Sequence, residues 1–193
     1  MSATASNDRR SGGETVEGIH YVTGRRIQVT MSDGVIARIA EVDSVDTGSV
    51  TAAGVQAARL RTSELPLLAP GLVDLQVNGS GGFDFNTLPL GEDVLERVTA
   101  DMWRSGVTTY YPTVITNSPE DIERAMRSIV EGCRRHPLAG ASVGGIHLEG
   151  PFISPEDGAR GAHALAFVRS PDWELFQRWQ AAAEGRIKLI TLS

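Results

Sequence analysis

The sequence predicts an α/β chain: a small β domain, then about four strands alternating with helices, the first half of a (β/α)8 barrel. Three observations carry this expectation. Asp33-Gly34 between two strand-like runs is a hairpin signature in the first third. After Pro66 the pattern becomes apolar runs separated by segments of helical period. The resulting βαβαβαβ order implies a parallel sheet with right-handed crossovers. With 41% hydrophobic and 22% charged residues over 193 positions, the chain can bury a core and is not disordered as a whole.

Taken in order, residues 1–18 read as a loose tail. They lack the apolar stretch of a secretion signal, and no segment elsewhere reaches the length of a membrane span, so a cytoplasmic location is expected. Residues 19–66 form the β portion. Within it, YVTGRRIQVT and VIARIAEV flank the Ser32-Asp33-Gly34 turn, with Val35 and Ile39 on the apolar alternation, and Asp43 to Glu64 reads as a variable strand or loop. Residues 67–193 form the barrel portion. LLAPGLVDLQV suits a fully buried strand because it is apolar without clean alternation. A helix capped by Asp93 follows, with Val94, Leu95, Val98 and Met102 on one face and Gly106 as its stop.

Val107 to Val114 is a β-branched and aromatic strand. Ser118 then caps a helix with Pro119 in its first turn and Glu120 and Asp121 facing the positive helix end, continued by Ile122, Ala125, Met126, Ile129, Val130 and Cys133. A third strand is expected from Ser142 to Glu149, a helix opened by Ser170-Pro171-Asp172 and running to Gly185, and a fourth strand from Ile187 to Leu192. The single cysteine, Cys133, lies on the apolar helical pattern and reads as a buried, unreactive thiol in a reducing compartment. A formal charge of -6 argues against nucleic acid or an anionic membrane as partner and favours a small-molecule substrate.

In such barrels catalytic groups sit where strands end. The first strand ends in Asp74-Leu75-Gln76-Val77-Asn78, where period-two alternation sends Asp74, Gln76 and Asn78 to one side. The second ends in Tyr111-Pro112-Thr113, and the third in His147-Leu148-Glu149-Gly150-Pro151, with His147 and Glu149 sharing a side. Glu149 there either ligates a cation or accepts hydrogen bonds from the following Gly-Pro loop, because a carboxylate in a barrel mouth must be paired or metal-bound. His147, deeper in its strand, reads as a hydrogen-bonded interior residue, and Gln76 and Asn78 as polar strand-end residues. NGSGGFDFN lacks both the P-loop ending and the G-x-G-x-x-G spacing and reads as a tight active-site loop. The long loop from Phe152 to Val168 points to a substrate lid or wall. His163 within it is either exposed or a substrate contact.

Three segments in this order, LAPGLVDLQVNGSGGFDFN, SGVTTYYPTVIT and GIHLEGPFISPEDGARGAH, resemble the N-terminal portion of the N-acetylglucosamine-6-phosphate deacetylases of the amidohydrolase superfamily. The resemblance runs from about Ile19 to the end. It implies a small β-sandwich shared by both ends of the full-length chain and a metal-bearing TIM barrel between them. It implies Glu149 as the carboxylate metal ligand, Ala162 and His163 as substrate contacts, and Gln76, Asn78 and His147 as residues lining the site.

Gln76 and Asn78 stand where many amidohydrolases carry His-x-His. Neutral amides replace imidazole poorly on a transition metal. The resemblance therefore implies one divalent ion, zinc first, with iron, cobalt and manganese as alternatives, and places Gln76 near the metal-bound water. Lys188, at the start of its strand, is not the carboxylated lysine of hydantoinase and dihydroorotase relatives. The implied reaction is hydrolysis of N-acetylglucosamine 6-phosphate to glucosamine 6-phosphate and acetate, in a family whose full-length members are homodimers. Its two histidine ligands and acid/base aspartate fall past Ser193, so the chain is expected to be a truncated or split product, inactive alone. A non-catalytic sugar-phosphate-binding or interaction module is the alternative, and specificity for the glucosamine or galactosamine substrate is left open.

Overall fold

The computed structural model describes residues 14–42 and 65–193. The stretch expected as a variable strand or loop, residues 43–64, lies outside them, as do the first thirteen residues. The chain divides into two compact units, Met1–Pro70 and Gly71–Ser193.

In the first unit, β1 (Glu14–His20), β2 (Arg26–Ser32), β3 (Val35–Glu41) and the two-residue β4 (Leu67–Leu68) form one sheet in the order β3-β2-β1-β4. Asp33 and Gly34 take φ of 52° and 78°, the left-handed pair that a two-residue hairpin matched to strand twist requires. The tail expectation ends too late: Glu14 to Gly18 are strand, because their backbone pairs with β2 from Glu14↔Met31 to Gly18↔Ile27. The β portion also extends past Pro66, since Leu67 and Leu68 pair in parallel with Ile19 and His20. Val35, Ile36 and Ile39 of the outermost strand are exposed, so the apolar alternation there does not mark a buried face of this unit.

The second unit is built on a parallel sheet of β5 (Leu72–Val77), β8 (Val107–Ile115), β9 (Ile146–Glu149) and β10 (Ile187–Thr191), in the order β10-β9-β8-β5. A small hairpin of β6 (Gly79–Ser80) and β7 (Phe83–Asp84) follows β5. The helices are α1 (Val94–Arg104), α2 (Pro119–Arg135), α3 (Pro137–Ser142) and α4 (Trp173–Ala182). Apolar faces of α1 (Val94, Leu95, Val98), α2 (Ile122, Met126, Ile129) and α4 (Trp179) join Tyr110, Val114, Ile146 and Leu148 of the central strands in one buried cluster. Cys133 belongs to it, and burial pushes its thiol pKa up, away from reactivity.

The expected capping at Ser118 is present: its hydroxyl accepts from the Asp121 amide at 3.2 Å. Asp172 does the same for Leu175 at 3.0 Å. Asp93 does not cap. Its backbone sits at φ -99°, ψ 0° and its carboxylate turns to Arg97 at 3.3 Å instead. The strand expected from Ser142 begins only at Ile146, because Pro137 starts a short helix that consumes Ser142, whose hydroxyl accepts from the Trp103 indole at 2.9 Å. The first strand, expected to be buried throughout, lies at a sheet edge with Leu72, Val73 and Leu75 exposed.

Candidate functional site

Within the second unit, the C-terminal ends of β5, β8, β9 and β10 bring together residues far apart in sequence. The shape of β5 decides what Gln76 can reach. Asp74 pairs with Tyr110 but Val77 with Pro112, three residues advancing against two, so a bulge interrupts the ladder. The Asp74 carboxylate accepts from the Gln76 amide at 3.0 Å across this bulge. Simple alternation is therefore lost between Asp74 and Gln76. Val77 turns into the core, while Gln76 and Asn78 stay on the open side. The Gln76 side-chain amide donates to Glu149 Oε2 at 3.0 Å, joining the two strand ends.

Glu149 is the last residue of β9, in register with Ile115 of β8 and Thr191 of β10. Its other oxygen lies 4.0 Å from His163 Nε2. Among the described residues no Lys or Arg lies within ion-pair distance of this half-buried carboxylate; its neighbours are a neutral amide and an imidazole. The next residue, Gly150, has φ of 77° and a Cβ there would fall 2.1 Å from the Thr116 hydroxyl, so only glycine fits the close approach that turns the chain out of β9.

His163 comes from the long loop and is held on both sides. Its Nδ1 hydrogen-bonds Thr116 Oγ1 at 2.9 Å, and its carbonyl accepts from Arg160 Nη1 at 2.7 Å. Arg160 also pairs with Asp157, bracing the loop on itself. Ala162, between Gly161 and His163, is exposed. The loop is anchored at its start by buried Phe152 and Ile153, and it carries one short 3-10 turn at Leu165–Phe167.

His147 has a different environment. It is buried two residues deeper in β9, between Thr113 of β8 at 3.4 Å from Nδ1 and Thr191 of β10 at 2.8 Å from Nε2. Thr113 also donates to the Tyr111 carbonyl at 3.2 Å, and the His147 ring makes a further hydrogen bond to the Leu75 backbone. Burial lowers the His147 pKa, opposed by the Glu149 charge and by the hydrogen bond to the Leu75 backbone. Each ring nitrogen thus has a threonine hydroxyl from a flanking strand as neighbour.

The glycine-rich segment after β5 is pinned by a residue the sequence did not single out. Asn86 donates to the Thr113 carbonyl and accepts from the Ile115 amide, each at 2.9 Å, so its side chain extends the β8 ladder in place of a strand. Asp84 orients it, accepting from the Asn86 amide at 2.9 Å. Thr116, Thr191 and Arg160 were likewise not picked out, whereas Thr113 stood at the strand end the sequence marked; only a polar residue just past a strand end hinted at Thr116. Lys188 is exposed near the start of β10, away from its C-terminal end. Among the described residues no cluster of three or more His, Cys, Asp or Glu side chains is placed to hold a metal ion, and no helix is long and apolar enough to cross a membrane.

No protein-family model matches the chain. It is 35% identical over 129 residues to an N-acetylglucosamine-6-phosphate deacetylase of Bacillus subtilis (strain 168), covering 66% of this chain and 32% of that protein. An N-acetylglucosamine-6-phosphate deacetylase of Lysinibacillus sphaericus is 33% identical, covering 87% of this chain and 40% of the relative. In fold, the chain matches an N-acetyl-D-glucosamine-6-phosphate deacetylase mutant from Mycobacterium smegmatis, solved with N-acetyl-D-glucosamine-6-phosphate, at a TM-score of 0.70 and 22% identity, covering 94% of this chain and 44% of that one. The chain spans 32%, 40% and 44% of the length of these three proteins. In sequence and in fold it is a relative of the N-acetylglucosamine-6-phosphate deacetylases, corresponding to their N-terminal portion.

Proposed function

We propose that this chain supplies part of the active centre of a metal-dependent deacetylase acting on N-acetylglucosamine 6-phosphate, on the first half of a (β/α)8 barrel. The observation that carries this reading is Glu149. In a chain whose sequence matches these deacetylases, a carboxylate at a strand end faces the open side with no cationic partner among the described residues, held by Gln76 and facing His163. An anion in that setting is suited to a divalent cation.

Glu149 would be the anionic donor for one divalent ion, zinc first. When bound, such an ion polarises an amide carbonyl and lowers the pKa of a bound water. The donors present fit that ion only in part: one carboxylate and one imidazole, with a neutral amide as a poor third, fall short of a catalytic three-ligand set. What these residues do by themselves is more limited. Gln76 orients the carboxylate, His163 offers a polar contact to an amino-sugar substrate, Ala162 leaves space beside it, and the braced loop forms one wall.

The 193-residue chain with Zn²⁺ is accordingly expected to release no acetate from N-acetylglucosamine 6-phosphate. Acetate release above the zinc-only background by this chain alone would overturn the incomplete donor set.

A further inference from the structure

We propose that Asn86 is a positioning residue for the candidate site: its side-chain amide takes the place of a neighbouring strand at the end of β8 and so holds the stretch of chain that presents Gln76 to Glu149. This rests on the reading of the Gln76–Glu149 pair as the centre of the site. The ladder between β5 and β8 stops at Val77↔Pro112, so beyond it β8 has β9 on one side and, among the described residues, no strand on the other. A parallel neighbour would offer one residue whose N–H meets the Thr113 carbonyl and whose carbonyl meets the Ile115 amide. Asn86 supplies both from its side chain, donating through Nδ2 and accepting through Oδ1, each at 2.9 Å. A backbone carbonyl can only accept and a backbone N–H only donate, so the orientation of the side-chain amide is fixed.

The clasp is itself braced and leads back to Gln76. One Asp84 oxygen accepts from the Asn86 backbone N–H at 2.9 Å, and the other accepts from the Thr87 hydroxyl at 2.9 Å. Phe85, fully buried and stacked on Tyr110 with ring centroids 6.4 Å apart, sets the depth of this turn. Its N–H donates to the Asn78 carbonyl at 2.9 Å, and Asn78 lies two residues past Gln76. The β6–β7 hairpin between Asn78 and Phe85 closes so tightly that a Cβ on Gly79 would fall 2.1 Å from the Phe83 carbonyl oxygen. A displacement of Asn86 is therefore carried through Phe85 to Asn78 and on to Gln76, where the bulge has already loosened β5 from β8. Phe85 fixes how deep the turn sits, and Asn86 fixes its direction along β8.

The test is nuclear magnetic resonance of the full 193-residue chain, following the Ile115 backbone amide and the side-chain NH2 groups of Asn86 and Gln76, the last two identified by their loss in Asn86→Ala and Gln76→Leu. In the wild type both NH2 groups are expected to exchange with solvent more slowly than those of exposed amides. In Asn86→Ala the Ile115 amide is expected to exchange roughly five- to tenfold faster, and the Gln76 NH2 signal to move to the position of an exposed amide, while the amides of α2 keep their rates. Asp84→Ala, which leaves the Asn86 side chain without its brace, is expected to move both signals the same way by less. An unmoved Gln76 signal, or α2 amides that speed up as much as Ile115, makes Asn86 a stability residue only and overturns the proposal. A wild-type Asn86 NH2 group that exchanges like an exposed one also overturns it, and decides even if Asn86→Ala does not fold. A protected Asn86 group beside an unprotected Gln76 group is a different failure: it removes the Gln76–Glu149 contact, and with it both the site reading and the proposal.

Discussion

The inner strand β9 and the edge strand β5 belong to one parallel sheet and both end at the candidate site, yet they are treated oppositely by their surroundings. In β9, Ile146, His147 and Leu148 are buried, and His147 has a hydroxyl on each ring nitrogen from each flanking strand. In β5, Leu72, Val73 and Leu75 are exposed, the ladder carries a bulge, and only Val77 reaches the core. Paired on both sides, β9 can hold a carboxylate at a fixed point. Paired on one side, β5 reaches that point through the Gln76 side chain. Rigidity at the site therefore comes from the interior strand, and reach from the bulged one.

The largest effect that would break this contrast is in packing. Leu148→Ala is expected to cost about 2–5 kcal/mol in urea denaturation, because a fully buried side chain leaves a cavity. Leu75→Ala, at a position 53% exposed, is expected to cost under about 1 kcal/mol. Equal costs would mean that β5 is as well packed as β9. Next in size is the polar interior: Thr191→Val leaves His147 Nε2 buried without its 2.8 Å hydroxyl partner and is expected to cost about 1–3 kcal/mol. Thr113→Val, which removes a 3.4 Å contact, should cost less in the same denaturation series.

The smallest effect appears only at alkaline pH. Tyr110, buried in β8 with its hydroxyl on Thr99 at 2.9 Å, has its pKa pushed up to about 12 by burial. Below about pH 10 it is protonated folded or unfolded; above that the unfolded chain ionises first. Stability is therefore lost as pH rises from about 10 towards 12, and absorbance titration should show one tyrosine ionising late. Tyr110→Phe is expected to flatten that limb of the stability profile, and an unchanged limb would assign it elsewhere.

Local chemistry was legible in the sequence and pairing across the fold was not. Ser118 and Asp172 announced their helices because capping is decided within three residues. The order of strands and helices followed from periodicity, and Glu149 stood out at a strand end within a recognisable motif. The short helix α3 escaped because six residues are too few for a period to show, and Asp93 looked like a cap because residue type does not report its backbone angles. Burial of β5 was misjudged since an apolar run does not say what packs on it. Gln76 meets Glu149 across 73 positions and Thr116 meets His163 across 47, contacts that no spacing rule supplies.

The most direct measurement of the proposed metal-donor role of Glu149 is paramagnetic broadening by Mn²⁺ in the backbone amide spectrum of the chain. Broadening is expected to centre on Gln76, Glu149 and Gly150 and to vanish in Glu149→Gln, a variant that keeps the size and most hydrogen bonding of the side chain. Broadening that is scattered over the acidic surface, or that persists unchanged in Glu149→Gln, would contradict the assignment of Glu149 as the metal-binding carboxylate.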